Sequence, residues 1–218
     1  MAAFVVTDMA RSRLQKDMLD TPDWLRLSSD RLLSGDYAQA LVAAERYRTL
    51  QPQNKAGAVW HANVLTQLGC YHEAEQELMR VEPCAEQKLR KPYLIAWIVL
   101  CHDQGRVSEE ERWSRRLIEE FCDCASGYNF LGRCLRRQGK VEESAATFRL
   151  GTKCGGVPEE AYYNLGRVLA FQRRFHEARE AFQEALAIDP AYKDAQQALQ
   201  DVWEALKLKR TIEIEDTL

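Results

Sequence analysis

Three arginines, Arg133, Arg136 and Arg137, lie within five residues of one another, and Asn129 precedes them by one helical turn. Positions three and four apart share a face of a helix, so at least two of these guanidinium groups point the same way as the amide. Guanidinium forks match carboxylates, and an asparagine can bind a peptide backbone through both its N–H and its C=O groups. The cluster therefore predicts a site for an acidic or carboxylate-ended polypeptide segment.

A second interpretation of the same arginines is open at this point. They can simply solvate the surface and form ion pairs with Glu142, Glu143 or Glu160. Isolated surface ion pairs contribute little, however, and like charges at helical spacing repel one another. An anionic partner accounts better for the clustering of positive charge in a chain whose formal net charge is -3.

Other residues that can do chemistry are poorly placed for it. Cys122 and Cys124 are separated by a single residue and lack the second matching pair of a zinc site, so we expect thiols buried at a turn. The histidines are scattered without ligand spacing: His61, His72, His102 and His176. No G-x-S-x-G nucleophile motif occurs, and Gly155-Gly156 is not part of a phosphate-binding loop. The sequence predicts neither an enzyme nor a metal or cofactor site.

Composition narrows the classes of partner. The chain of 218 residues has 46% hydrophobic and 29% charged residues, and its pI is about 5.9. This balance disfavours nucleic-acid binding, because phosphate-backbone binders are usually basic. The longest apolar run, 93–101, is too short to span a bilayer, so no membrane insertion is expected. Seven cysteines without a disulfide framework favour a cytoplasmic location.

An internal repeat determines which elements carry these residues. Gly35 recurs as Gly69, and Gly132 recurs as Gly166, each after 34 residues (69 − 35 and 166 − 132). Gly105 recurs as Gly139 with the same spacing (139 − 105 = 34), while the step from Gly69 to Gly105 is 36. A period of this length is typical of stacked helix–turn–helix units.

Residues 159–192 form the most regular unit, and they resemble the tetratricopeptide repeat family. The matching positions are Tyr162, Leu165, Gly166, Leu169, Ala178, Phe182, Ala185 and Pro190. The resemblance implies an all-α fold, a right-handed superhelical solenoid of antiparallel helix pairs. Extending the frame gives five repeats, at 21–54, 55–90, 91–124, 125–158 and 159–192. We expect a capping helix at 193–210, a mobile acidic tail at 211–218, and a leader at 1–20 that is unordered or a short helix.

Small residues recur where the two helices of each unit should cross, because they let the backbones approach. Gly132 and Gly166 occupy this position on the first helix, so neither is expected to have room for a side chain. The third unit has Ile98 and Glu110 where small residues are expected. We therefore predict that its helix pair crosses differently, or that the frame slips there.

The family resemblance also implies which residues line the concave groove, where members of the family bind an extended segment of a partner. Together with flanking polar residues, these positions give the predicted peptide-binding set: Asn63, Asn129, Arg133, Arg136, Arg137, Tyr163, Asn164 and Arg167. The predicted function is a non-catalytic interaction scaffold that binds an acidic peptide.

Two alternatives follow from the same comparison. Chaperone-binding members of the family clamp a terminal carboxylate; Asn63 matches that pattern, but Val59, Pro92 and Ala96 replace its cations. A co-chaperone-like adaptor is therefore only a weak alternative. The other is a structural subunit that assembles through its ends or convex face, or through its acidic tail, 213–218, in the groove of a neighbouring copy.

Overall fold

The computed structural model describes residues 23–81 and 87–215, which form eleven α-helices and no strand. The fold is an all-α helical-repeat solenoid. The helices are α1 (Trp24–Leu33), α2 (Tyr37–Leu50), α3 (Lys55–Gln67), α4 (Tyr71–Val81), α5 (Gln87–Asp103), α6 (Val107–Glu120), α7 (Ala125–Arg137), α8 (Val141–Gly151), α9 (Pro158–Phe171), α10 (Phe175–Ile188) and α11 (Lys193–Glu215).

Ten of these helices make five consecutive pairs, from α1–α2 to α9–α10, in the order that the period predicts. One helix starts outside its expected range: α5 begins at Gln87, four residues before the predicted start of the third repeat, and includes Pro92. The chain divides into two compact units, the first ending at Leu89 and the second beginning at Arg90. The predicted leader, residues 1–20, lies outside the described residues.

The turn within each pair depends on one residue in the left-handed backbone region. Gly139 has a φ of 77°. Its N–H donates a hydrogen bond to the carbonyl of Arg136, and the N–H of Lys140 donates one to the carbonyl of Leu135. The same two hydrogen bonds recur in all five turns, a common way for a helix to end. In the fifth turn this position is Arg173, with a φ of 60° and no glycine to relieve the strain.

Replacing Arg173 by glycine should therefore stabilise the protein. A residue with a side chain costs about 1–2 kcal/mol in the left-handed region, and glycine removes this strain. Glycine also makes the unfolded chain more flexible, which offsets part of the stabilisation. We expect a net increase of about 0.5–1 kcal/mol in the free energy of unfolding, measured by urea denaturation. Gly139→Arg is the matched reverse change and should destabilise; a destabilised Arg173→Gly variant would contradict this account.

Close helix crossings explain the recurring small residues. A Cβ atom on Gly132 would lie 2.6 Å from the Phe148 ring, and one on Gly166 would lie 2.6 Å from the Phe182 ring. These distances are well inside van der Waals contact, which confirms that neither position has room for a side chain. In the fourth repeat the Ser144 hydroxyl also donates to the Gly132 carbonyl at 2.7 Å, as close backbones permit.

The third repeat keeps the frame and exchanges the sizes of two residues. Ile98 and Ser114 occupy the positions that Gly132 and Phe148 hold one repeat later (98 + 34 and 114 + 34). Both Ile98 and Ser114 are fully buried. The larger residue has moved from the second helix to the first, so the volume at the crossing is roughly conserved. The 34-residue spacing thus puts isoleucine where the fourth repeat has glycine, and serine where the fourth repeat has phenylalanine.

Aromatic rings fill the rest of the third repeat. Trp97 on α5 and Trp113 on α6 stack with ring centroids 5.2 Å apart and planes 13° apart. Tyr93 meets both indoles edge-on, at 6.5 Å and 6.4 Å. Stacked and edge-on rings stabilise a core beyond the area they bury, so these contacts hold α5 to α6 where the regular Gly–Phe packing is missing.

The last helix covers the fifth repeat. Val202 on α11 is buried in the cluster that contains Phe182, and Leu199 and Leu206 pack against its edge. Such a covering helix is what a stack of helix pairs requires at an end. The helix continues to Glu215, five residues beyond the predicted cap, because residues 211–215 contain no proline or glycine to end it.

Candidate functional site

A groove of about 430 Å³ lies in the second compact unit, where the first helices of the fourth and fifth repeats approach each other. Helices α7 and α9 supply most of its walls, and α5 and the residues before α11 complete it. The residues that line it are His102, Arg133, Arg136, Arg137, Glu160, Tyr163, Asn164, Arg167 and Tyr192. Most of these carry hydrogen-bond donors, so the groove suits an anionic ligand.

The structure brings six of the eight predicted peptide-binding residues into this groove: Arg133, Arg136, Arg137, Tyr163, Asn164 and Arg167. Asn63 lies on α3, in the other compact unit. Asn129 lies on α7 one turn before Arg133 and is only 2% exposed, so it does not line the groove. Neither amide atom of Asn129 has a hydrogen-bond partner in the described part of the chain.

Arg137 has a partner within the fold that the sequence did not predict. Its guanidinium donates to Glu110 Oε2 at 2.7 Å, and Glu110 is 1% exposed. The other carboxylate oxygen, Oε1, lies 2.9 Å from His102 Nδ1. A buried carboxylate needs a paired charge, and Arg137 supplies it from the neighbouring repeat. The charge of Arg137 is therefore already compensated inside the protein.

Arg133, Arg136 and Arg167 form the part of the groove that has no such compensation; we call these three residues the arginine triad. None of them has a carboxylate within 4.0 Å among the described residues, and the predicted pairs with Glu142, Glu143 and Glu160 are absent there. Burial lowers the pKa of Arg136, and the positive charges of Arg167 and Arg133 lower it further. The three guanidinium groups thus repel one another while they share one cavity.

Two tyrosines form the wall beside the triad. The Tyr163 and Tyr192 rings lie 5.0 Å apart, and the Arg167 guanidinium stands 5.5 Å from the centroid of Tyr163. This cation–π contact orients Arg167 without neutralising it. Burial, followed by the charge of Glu160, raises the pKa of Tyr192 to about 12. Its hydroxyl therefore stays protonated at neutral pH and remains a hydrogen-bond donor.

Sequence reasoning missed Tyr192, His102 and Glu110 as parts of the site. A carboxylate at a position that otherwise has a small residue was the available signal for Glu110, because a buried charge requires a partner. No local signal identified the other two. Tyr192 is the last residue of the fifth repeat, and His102 lies near the end of α5 in the third repeat, so only tertiary packing brings them to the groove.

An apolar cavity of about 380 Å³ adjoins the groove and shares two of its arginines. Its lining consists of Arg136, Gly139, Val141, Arg167, Val168 and Phe171. Phe171 ends α9 and is 77% exposed, which is unusual for a large aromatic side chain. The charged groove therefore continues into an apolar surface.

Cys122 and Cys124 lie in the connection between α6 and α7. Within residues 23–81 and 87–215, no three histidine, cysteine or acidic side chains are grouped so that they can hold a metal ion. Cys124 is buried at the turn before α7, as predicted, but Cys122 is exposed. Cys154 lies close by, with its Sγ 3.6 Å from the Cys122 carbonyl. Burial and then the charge of Asp123 raise the pKa of Cys154, which keeps it a thiol.

Comparisons with known proteins agree with this architecture. Residues 159–192 match the tetratricopeptide repeat family. A search of curated proteins found no match. Within the described residues, no helix combines the length and the apolar character that crossing a membrane requires.

Solved structures of similar fold are themselves tetratricopeptide repeat proteins. One from Parabacteroides merdae is 18% identical, with 83% of this chain and 70% of that chain covered and a TM-score of 0.67. A thermophilic protein of Thermus thermophilus is 17% identical, with 83% and 97% covered and a TM-score of 0.67. YrrB, described as having an unusual peptide-binding site, is 16% identical, with 87% and 97% covered and a TM-score of 0.54.

The matched repeat has its helix crossing at Gly166, and the pairs before it repeat the same turn. Residues 159–192 are therefore a tetratricopeptide repeat, and the chain shares the helical-repeat fold of the solved tetratricopeptide repeat proteins.

Proposed function

We propose that the protein is a non-catalytic interaction scaffold that holds an extended acidic segment of a partner protein in the groove between α7 and α9. The observation that carries this proposal is the arginine triad, Arg133, Arg136 and Arg167, which has no carboxylate partner among the described residues. Like charges gathered in one groove repel one another, and an anionic ligand relieves that repulsion. The cytoplasmic location predicted from cysteine content fits this role and remains a prediction.

Backbone recognition has a candidate in Asn129, one turn from Arg133 on the same helix. A buried amide without partners is costly, because burial removes its hydrogen bonds to water and no protein hydrogen bond replaces them. We propose that a small opening of the groove on binding lets this amide contact the backbone of the peptide. YrrB, with its similar fold, is described as peptide-binding, which supports the general mode but not the residues.

An array of acidic peptides, probed at low and at physiological salt, tests the proposal. Wild-type protein should bind glutamate-rich peptides, and binding should weaken as salt screens the charges. A variant with Arg133, Arg136 and Arg167 all changed to glutamine should lose binding while it keeps its helical content. Arg137 is left intact in this design, because removing it would leave the buried Glu110 carboxylate without its counter-charge.

Unchanged binding by that triple variant would contradict the proposal and move the site to another surface. The same triple variant also tests the alternative in which the chain assembles with itself. The acidic segment 213–216 has the chemistry that the groove accepts, so a second copy is one source of the ligand. Light scattering should then show a mass that falls to the monomer value in the triple variant, whereas assembly through other faces would leave the mass unchanged.

A further inference from the structure

The charge of the groove exceeds what a single carboxylate can balance. The arginine triad contributes three positive charges, and Glu160 is the one unpaired carboxylate in the lining, so these four side chains leave an excess of 3 − 1 = +2. Arg137 adds nothing to this sum, because its charge is balanced by Glu110 at 2.7 Å. An aspartate or glutamate side chain would neutralise only half of the excess.

A phosphoryl group matches the groove better in charge and in geometry. It carries about -1.5 to -2 at neutral pH and presents three acceptor oxygens, where a carboxylate presents two. Each guanidinium of the triad offers a fork of N–H donors, and Tyr192 adds a protonated hydroxyl at the rim. Building on the proposed function, we propose that the arginine triad binds a phosphorylated serine or threonine side chain of the partner peptide.

The adjoining apolar cavity adds a second requirement. Arg136 and Arg167 line both cavities, so a peptide residue beside the phosphorylated one lies over Val141 and the exposed Phe171. An apolar side chain placed there covers a surface that is otherwise left in water. The preferred ligand is thus a phosphorylated residue with a large apolar neighbour.

The test compares three fluorescent peptide pools that differ only at a central position, which is phosphoserine, glutamate or serine. Neighbouring positions are randomised without acidic residues, and binding is followed by fluorescence anisotropy at physiological salt. The phosphoserine pool should bind at least about tenfold more tightly than the glutamate pool, and the serine pool should not bind. Arg136→Gln should remove most of the preference for phosphoserine.

Arg149→Gln is the matched control, because Arg149 is an exposed arginine on α8 that lies outside the groove; its binding should equal that of wild type. Equal or tighter binding of the glutamate pool would overturn the phosphoryl assignment and leave the acidic-peptide function standing. Failure of both anionic pools would overturn both proposals. Free phosphoserine that competes as well as the peptides would show a small-anion site and also overturn the assignment.

A separate comparison tests the preference for an apolar residue beside the phosphoserine. Within the phosphoserine pool, peptides with leucine beside the phosphoserine should bind several-fold more tightly than those with alanine. Phe171→Ala should abolish this difference and leave the phosphoserine preference intact. A leucine preference that survives in Phe171→Ala would refute the role of the apolar cavity.

Discussion

Replacing Gly166 by isoleucine should lower the free energy of unfolding by about 1–3 kcal/mol. The first atom of any side chain there would lie 2.6 Å from the Phe182 ring, so either the ring or the helix must move. Both elements are tightly packed, because Phe182 is buried in the core cluster of the fifth repeat. Urea denaturation monitored by circular dichroism measures the change.

The third repeat indicates how the damage can be repaired. There, isoleucine on the first helix faces serine on the second, at Ile98 and Ser114. Phe182→Ser alone should cost about 3–5 kcal/mol through the cavity it leaves. Combined with Gly166→Ile, the loss should be smaller than the sum of the two by about 1–3 kcal/mol, since the new side chain fills that cavity. Strictly additive losses would show that the two positions do not share a crossing.

Arg137→Ala should destabilise the protein by about 3 kcal/mol, the lower end of the range for breaking a buried ion pair, because the arginine is itself partly exposed. The loss comes mainly from Glu110, which would remain buried without its counter-charge. Arg136→Ala is the control on the same helix. It removes a charge that only repels its neighbours, so we expect it to leave stability unchanged or slightly higher.

A second substitution tests whether the buried carboxylate is the cause. Alanine occupies the position of Glu110 in the first, second and fifth repeats, at Ala40, Ala74 and Ala178. Glu110→Ala in the Arg137→Ala background should therefore recover much of the lost stability, measured again by urea denaturation. If the double variant were less stable than Arg137→Ala alone, the pair would not be the reason for the loss.

The sequence by itself determined the repeat and the placement of most groove residues. A period of 34 residues is a local property, because each pair of helices needs the same small residues at its crossing and the same turn after its first helix. Once the frame is known, helical spacing places Arg133 and Arg136 near each other on one helix, and the family resemblance implies that Arg167 faces the same groove. Chains of this class are predictable because each repeat contacts mainly its neighbours.

Only the tertiary structure decided which arginines remain available for a partner. Arg133, Arg136 and Arg137 look equivalent along the chain, yet Arg137 alone reaches Glu110, which is 27 residues away in the preceding repeat. The tertiary structure likewise buries Asn129, which the family resemblance had placed in the groove. Ion pairing and burial depend on distances between repeats of a few ångströms, and the period sets only the order in which the repeats stack.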